Sequence, residues 1–153
     1  MASQSFSSNP AAEKASIFAF DLSELISQDL IFRLLTWSLS LTFFWFGTLK
    51  VIGMSPVVNL LKHSFPLFAT QPYLGLLGLF EMVLAAGLLI PRLRRFAAGI
   101  AILHLLGTIS VACINPGILF APYFPVLTME GEFIVKNFIL ISAFLIILFR
   151  RPE

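Results

Sequence analysis

Four apolar runs, each about as long as the hydrocarbon layer of a bilayer is thick, dominate the chain and exclude most soluble folds. A spanning helix needs roughly 20 residues, within a range of about 17 to 25. The runs are Leu30 to Val51, Tyr73 to Ile90, Phe96 to Ile114 and Phe133 to Phe149. None alternates strictly between apolar and polar residues, as the strands of a membrane barrel must, so all four read as helices. Composition agrees: of 153 residues 58% are hydrophobic and 12% charged, against about a quarter charged in an average domain. The sequence predicts an all-α fold, an integral membrane four-helix bundle in residues 30–153 with a short N-terminal interfacial helix.

The first 16 residues, MASQSFSSNPAAEKAS, are small and polar without apolar periodicity and predict a disordered cytoplasmic tail. Residues 17–29 place Asp21 and Glu24 at the spacing of a helix cap and its third-position acceptor, with Leu22, Leu25 and Ile26 on one side. That pattern suits a helix lying on the membrane surface, or a simple extension of the first run. No basic stretch precedes a short apolar core, so the chain is expected to keep its N-terminus rather than lose a signal peptide.

Basic residues set the expected orientation. Lys14, Arg33, Arg92, Arg94, Arg95, Arg150 and Arg151 fall on one side, leaving Lys50, Lys62 and Lys136 on the other. By the positive-inside rule both termini face the cytoplasm; the membrane expected is the inner or plasma membrane of a bacterium. The same distribution, singly or in pairs at the ends of apolar runs, sets nucleic acid aside as a partner. The connections 53–72 and 115–132 then face outward, and their aromatic and proline residues suit an interfacial position or packing back over the bundle.

Ionisable residues inside the runs are the informative ones, because a charge at helix centre costs roughly 2.5 to 3.5 kcal/mol on insertion scales. Glu81 interrupts the second run about 12 Å from its outer end, too deep to reach water. It shares a helical face with Gly78 and Ala85, so that face is expected to meet other helices. Lys50 and Lys136 are the candidate partners. Lys50 lies on the face of Thr36, Ser40, Phe43 and Gly47. The pair reads either as a structural ion pair or as a site that binds a quinone, oxidant or ion; a protonated, hydrogen-bonded Glu81 is the third alternative.

His104, the ionisable residue of the third run, reads as an interhelical hydrogen-bonding residue before it reads as a ligand. Haem ligation by two histidines would need His63, which sits in an outer connection at a different depth. No metal site is expected. Cys113 is the single cysteine; it excludes an internal disulfide framework and leaves a small packing residue or a redox thiol. Phosphate loops, serine triads and glycosidase carboxylate pairs are lacking, so the chain is not expected to be an enzyme alone.

With these residues placed, the chain resembles the DoxX-like family of small four-helix membrane proteins over about residues 32 to 150. Three segments carry the resemblance: Phe43-Phe44-Trp45-Phe46-Gly47-Thr48-Leu49-Lys50, then Leu77-Gly78-Leu79-Phe80-Glu81 with its Gly87-Leu88-Leu89-Ile90 tail, and Gly131-Glu132-Phe133-Ile134-Val135-Lys136-Asn137. Ser110, Asn115-Pro116 and Phe124-Pro125-Val126-Leu127 are similar to the YkgB-type branch, associated with resistance to reactive chlorine species. The resemblance lends interest to Lys50, Glu81 and Lys136. It also exposes two departures: Asn137 stands where the branch usually has an acidic residue, and the first outer connection is shorter.

What the resemblance implies is a non-catalytic membrane subunit in redox or oxidant-stress physiology, with a quinone as a possible cofactor. The expected partners are the lipid bilayer and either a redox protein or further copies of the chain. The competing expectations are a small transporter or proton channel using Glu81, and an assembly factor or scaffold in which the buried charges only specify packing.

Overall fold

The computed structural model describes residues 27–55 and 57–150. The chain divides into two compact units, Met1–Leu34 and Leu35–Glu153. Helix makes up 78% of the described residues and none lies in a strand; a single antiparallel bridge joins Phe120 to Leu127. The all-α expectation therefore holds. The expected tail and most of the expected interfacial helix fall outside the described residues.

Among the described residues five α-helices follow in order: α1, Gln28–Val51; α2, Val58–Ser64; α3, Tyr73–Leu89; α4, Arg94–Ile114; and α5, Met129–Phe149. Short 3-10 turns at Pro66–Ala69 and Pro116–Ile118 lie between them. The four apolar runs thus became α1, α3, α4 and α5, while α2 arises in a segment the sequence left as a connection. Its seven residues are too few to show a helical period.

Local chemistry explains where these helices begin and end. At the end of α1, the Met54 N–H donates to Leu49 O at 2.9 Å and the Gly53 N–H to Lys50 O at 3.2 Å. This is the paired closure of a Schellman motif, which places its turning residue at positive φ; Gly53 supplies it at +76°. Helix α3 stops just before Pro91, which cannot continue a helix. Helix α5 starts four residues ahead of the expected Phe133 because Thr128 caps it, its hydroxyl oxygen accepting from Gly131 N at 2.9 Å. Glu130 and Glu132 in the first turn suit the positive end of the helix dipole.

Within the second unit, α1 and α3 run antiparallel at backbone contact. Ser40 Oγ donates to Ala85 O at 2.8 Å, and one end further on Gly47 meets Gly78. A Cβ on Gly78 would fall against Gly47 O and 2.8 Å from Lys50 Cβ, so only glycine permits this approach. Helix α4 packs on both α3 and α5, burying Ala97, Ala98 and Ala101. Phe144 of α5 is fully buried and meets Phe43 of α1 edge to face at 5.2 Å. At one end, Val57 and Leu60 close over Ile134, with Ile109, Ile118 and Leu119 packed around them. The first long connection therefore folds back onto the helices.

Large apolar side chains lie on the outside of this fold as well as in its core, which also holds a few polar ones. Thr36, Ser40, Lys50, Glu81 and Asn137 are buried, while Trp37, Leu41, Val83, Leu103 and Ile139 are each more than 60% exposed. Helices α1 and α5 are long and apolar enough to cross a membrane, and α3, at 17 residues, is a shorter apolar helix.

Candidate functional site

Three ionisable side chains from three helices converge at the middle of the bundle. Glu81 is the central residue of α3 and His104 the central residue of α4; Lys50 is the penultimate residue of α1. Placement follows from spacing. Gly78, Glu81, Ala85 and Leu88 share the buried stripe of α3, and Lys50 follows Gly47 on the buried stripe of α1. The Gly47–Gly78 contact brings the Lys50 stem against α3 one turn from Glu81, and the ammonium covers the remaining distance.

Lys50 Nζ donates to Glu81 Oε2 at 2.6 Å and to Oε1 at 2.8 Å. His104 Nε2 donates to the same Oε1 at 2.7 Å. The Lys50 and Glu81 side chains are 4% and 7% exposed, so the pair is held where water does not screen it. The Lys50 ammonium and the Glu81 carboxylate are opposite charges in contact, and His104 bonds the same carboxylate through a ring nitrogen that carries a proton. The His104 ring is itself fixed by edge contacts with Phe43 at 6.2 Å and Phe80 at 5.7 Å. Above the cluster, Gln71 bridges two helix ends: its Nε2 donates to Lys50 O at 3.3 Å and its Oε1 accepts from Gly75 N at 3.2 Å.

A cavity of about 330 Å³ opens beside the three residues. Phe43, Phe46, Phe65, Phe133 and leucines make most of its wall, with Lys50, Glu81, His104 and Asn137 among its few polar side chains. Two hydroxyls on the α4 side, Thr108 and Ser110, are already donating to His104 O and Gly107 O at 3.2 and 2.6 Å. Asn137 is different. It is 1% exposed, and its Nδ2 has no acceptor among the described residues. An unmet buried donor costs about 1 to 3 kcal/mol.

Of the residues singled out in the sequence, Lys50, Glu81 and His104 come together and Asn137 lines the same cavity. Of the two candidate partners of Glu81, Lys50 takes the place and Lys136, expected as a buried polar residue, does not. It points away, pairing with Glu132 one turn back at 3.3 Å with both side chains more than half exposed. The reason is angular: Asn137 is the inward residue of that turn, and its neighbour stands about 100° round the helix. Cys113 is exposed and unpaired with another cysteine, apart from the cluster. The sequence missed the direct bond between His104 and Glu81, and it missed the Gln71 bridge. Both depend on which sides of neighbouring helices meet, and α4 signals this only through its Ala97, Ala98 and Ala101 stripe. Groups of three or more residues suited to hold a metal do not occur among the described residues.

Comparison of the chain with known protein families, characterised proteins and solved structures finds no match.

Proposed function

We propose that the protein is a four-helix integral membrane protein of the DoxX-like kind. In this reading it is a non-catalytic membrane subunit in redox or oxidant-stress physiology, whose bundle receives a small apolar molecule, a quinone being one candidate. Helices α1, α3, α4 and α5 would be the spans. The apolar exposure of Trp37, Leu41, Val83, Leu103 and Ile139 supports it, since large exposed apolar surface belongs against lipid or a partner. Helix α3 would extend about 25 Å at 1.5 Å per residue, short of a typical hydrocarbon core by an amount that thinning or interfacial flanks absorb. The basic residues Arg92, Arg94, Arg95 and Arg150 would lie at the cytoplasmic face.

The observation that carries the functional part is the cavity wall. A structural ion pair needs burial and geometry but no adjoining space; here Lys50, Glu81 and His104 border an apolar cavity large enough for a ligand. The test is survival under hypochlorite of cells lacking the protein and complemented with wild type or Glu81→Gln, at matched amounts in the membrane fraction. The reading expects wild type to protect and Glu81→Gln to lose protection. Equal protection by both would overturn it and leave the buried pair as an assembly device, a reading favoured by the mutual satisfaction of Lys50 and Glu81.

A further inference from the structure

The seam between α3 and α4 is closed at one end and open at the other. Near the start of α4, a Cβ on Gly87 would lie 3.1 Å from Ala97 Cβ, so the two helices touch there. Further along α4, Gly107 follows His104 by three places and shares the side from which His104 reaches Glu81 of α3. A Cβ on Gly107 would meet nothing within 4 Å. Gly107 is exposed, and it also lines the cavity. A larger residue could do both with different atoms. A glycine has no side chain, so the surface it shows to the outside adjoins the surface it shows to the cavity. Leu103, one turn back, likewise lines the cavity and is 68% exposed. Phe68, in the 3-10 turn ahead of α3, is the other exposed residue of the wall, at 45%. None of these three is polar, whereas the charged residues of the wall, Lys50 and Glu81, are buried.

We propose that the cavity opens sideways between α3 and α4 at Gly107, and that it takes up an uncharged, ring-sized molecule dissolved in the membrane. This rests on the proposed reading that the bundle lies in lipid and receives a small molecule; it adds the route of entry and the class of molecule that can use it. An apolar mouth facing hydrocarbon admits what is already dissolved there and turns away ions, which enter that layer only at high cost. Inside, Lys50 and Glu81 already hold each other, so an ion finds no uncompensated partner. The volume, about 330 Å³, lies at the small end of ligand pockets, which run from about 300 to 1,000 Å³. That limits the buried part to a ring system or a short chain. Phe43, Phe46, Phe65 and Phe133 line the interior, and aromatic rings pair edge to face with another ring as they cannot with an acyl chain. Gly107 sets what passes, because it leaves the mouth unfilled.

Benzophenone tests this directly, being uncharged, built of two rings, and photoreactive toward C–H bonds. The full chain in lipid nanodiscs is mixed briefly with it and irradiated, and labelled residues are located by peptide mass. Wild type is expected to carry labels on Leu103 at the mouth and on Leu60 or Leu105, which line the cavity and are buried. Gly107→Leu, which sets a side chain in the mouth, should lose the deep labels and keep the one on Leu103; Gly107→Ala should keep both. Neither variant disturbs the packing, since position 107 borders open space. Undiminished deep labelling in Gly107→Leu would overturn the lateral mouth while leaving the cavity as a binding site. Deep labelling by 4-benzoylbenzoate, whose carboxylate keeps it in water, would also overturn it, by revealing an aqueous way in. A phospholipid with a photoreactive diazirine at the end of an acyl chain provides the remaining arm. Deep labels from that lipid which benzophenone does not displace would overturn the choice of a ring molecule as occupant. Absence of deep labels from all three compounds would overturn both the inference and the small-molecule reading beneath it.

Discussion

Lys50 Nζ lies 2.6 and 2.8 Å from the two carboxylate oxygens of Glu81, one ammonium closing on one carboxylate across the α1–α3 contact. Both side chains are more than nine-tenths buried. Removing one partner leaves the other as an uncompensated buried charge, which costs about 3 to 5 kcal/mol. Lys50→Met is expected to destabilise the protein on that scale, measured by thermal unfolding in mild detergent. The double variant Lys50→Met/Glu81→Gln should be less destabilised than the sum of the single ones. Additive losses would show that the pair is not coupled.

The Gly47–Gly78 approach sets the geometry that lets Lys50 reach Glu81. Gly78→Ala puts a methyl against the Gly47 carbonyl and within 2.8 Å of Lys50 Cβ, an overpacking that costs about 1 to 3 kcal/mol. Gly107→Ala is its control, since a Cβ there meets nothing within 4 Å. Its expected effect is neutral or stabilising by up to about 1 kcal/mol, the helix-propensity gain. Unfolding of the two variants side by side checks the contrast, and equal losses would refute the close helix approach.

Thr128 ties the second long connection to α5, accepting from Gly131 N and donating to Ile118 O at 2.6 Å. Thr128→Val removes both bonds at nearly constant volume. A loss of about 0.5 to 2 kcal/mol is expected from the cap alone, with Thr128→Ser close to wild type. Amide exchange at the first turn of α5 should accelerate in the valine variant and not in the serine variant.

Lys136 supplies the counterpart to Lys50. Its bond to Glu132 is exposed on both sides, and such pairs contribute about 0 to 1 kcal/mol. Lys136→Gln should leave unfolding within about 0.5 kcal/mol of wild type and leave the effect of Glu81→Gln unchanged. A strong coupling between Lys136 and Glu81 in a double-variant cycle would contradict the outward placement.

These four cases mark what the sequence carried and what it did not. Glu81 was legible because a carboxylate in the middle of an apolar run has few places to go, and Lys50 because 3- and 4-residue spacing ties it to Gly47. Lys136 was misread because depth along a helix says nothing of angle around it; one position on, Asn137 is inward. The His104–Glu81 bond was beyond periodicity, which assigns a face to α4 but not the helix it meets. Helix α2 was invisible for a different reason: seven residues cannot show a period, and its order comes from Leu60 packing against Ile134. The unmet Asn137 donor is wholly a property of packing, since nothing in an amide's neighbours along the chain says whether an acceptor will face it.

The central claim is that the Lys50–Glu81–His104 cluster borders an occupied site and is more than an assembly device. Native mass spectrometry of the protein released from its own membrane, wild type beside Glu81→Gln at matched helical content, measures this most directly. The account predicts a bound small molecule or a redox protein partner on wild type that Glu81→Gln has lost. Bare protein in both samples, with the variant differing only in an earlier thermal transition, would contradict it.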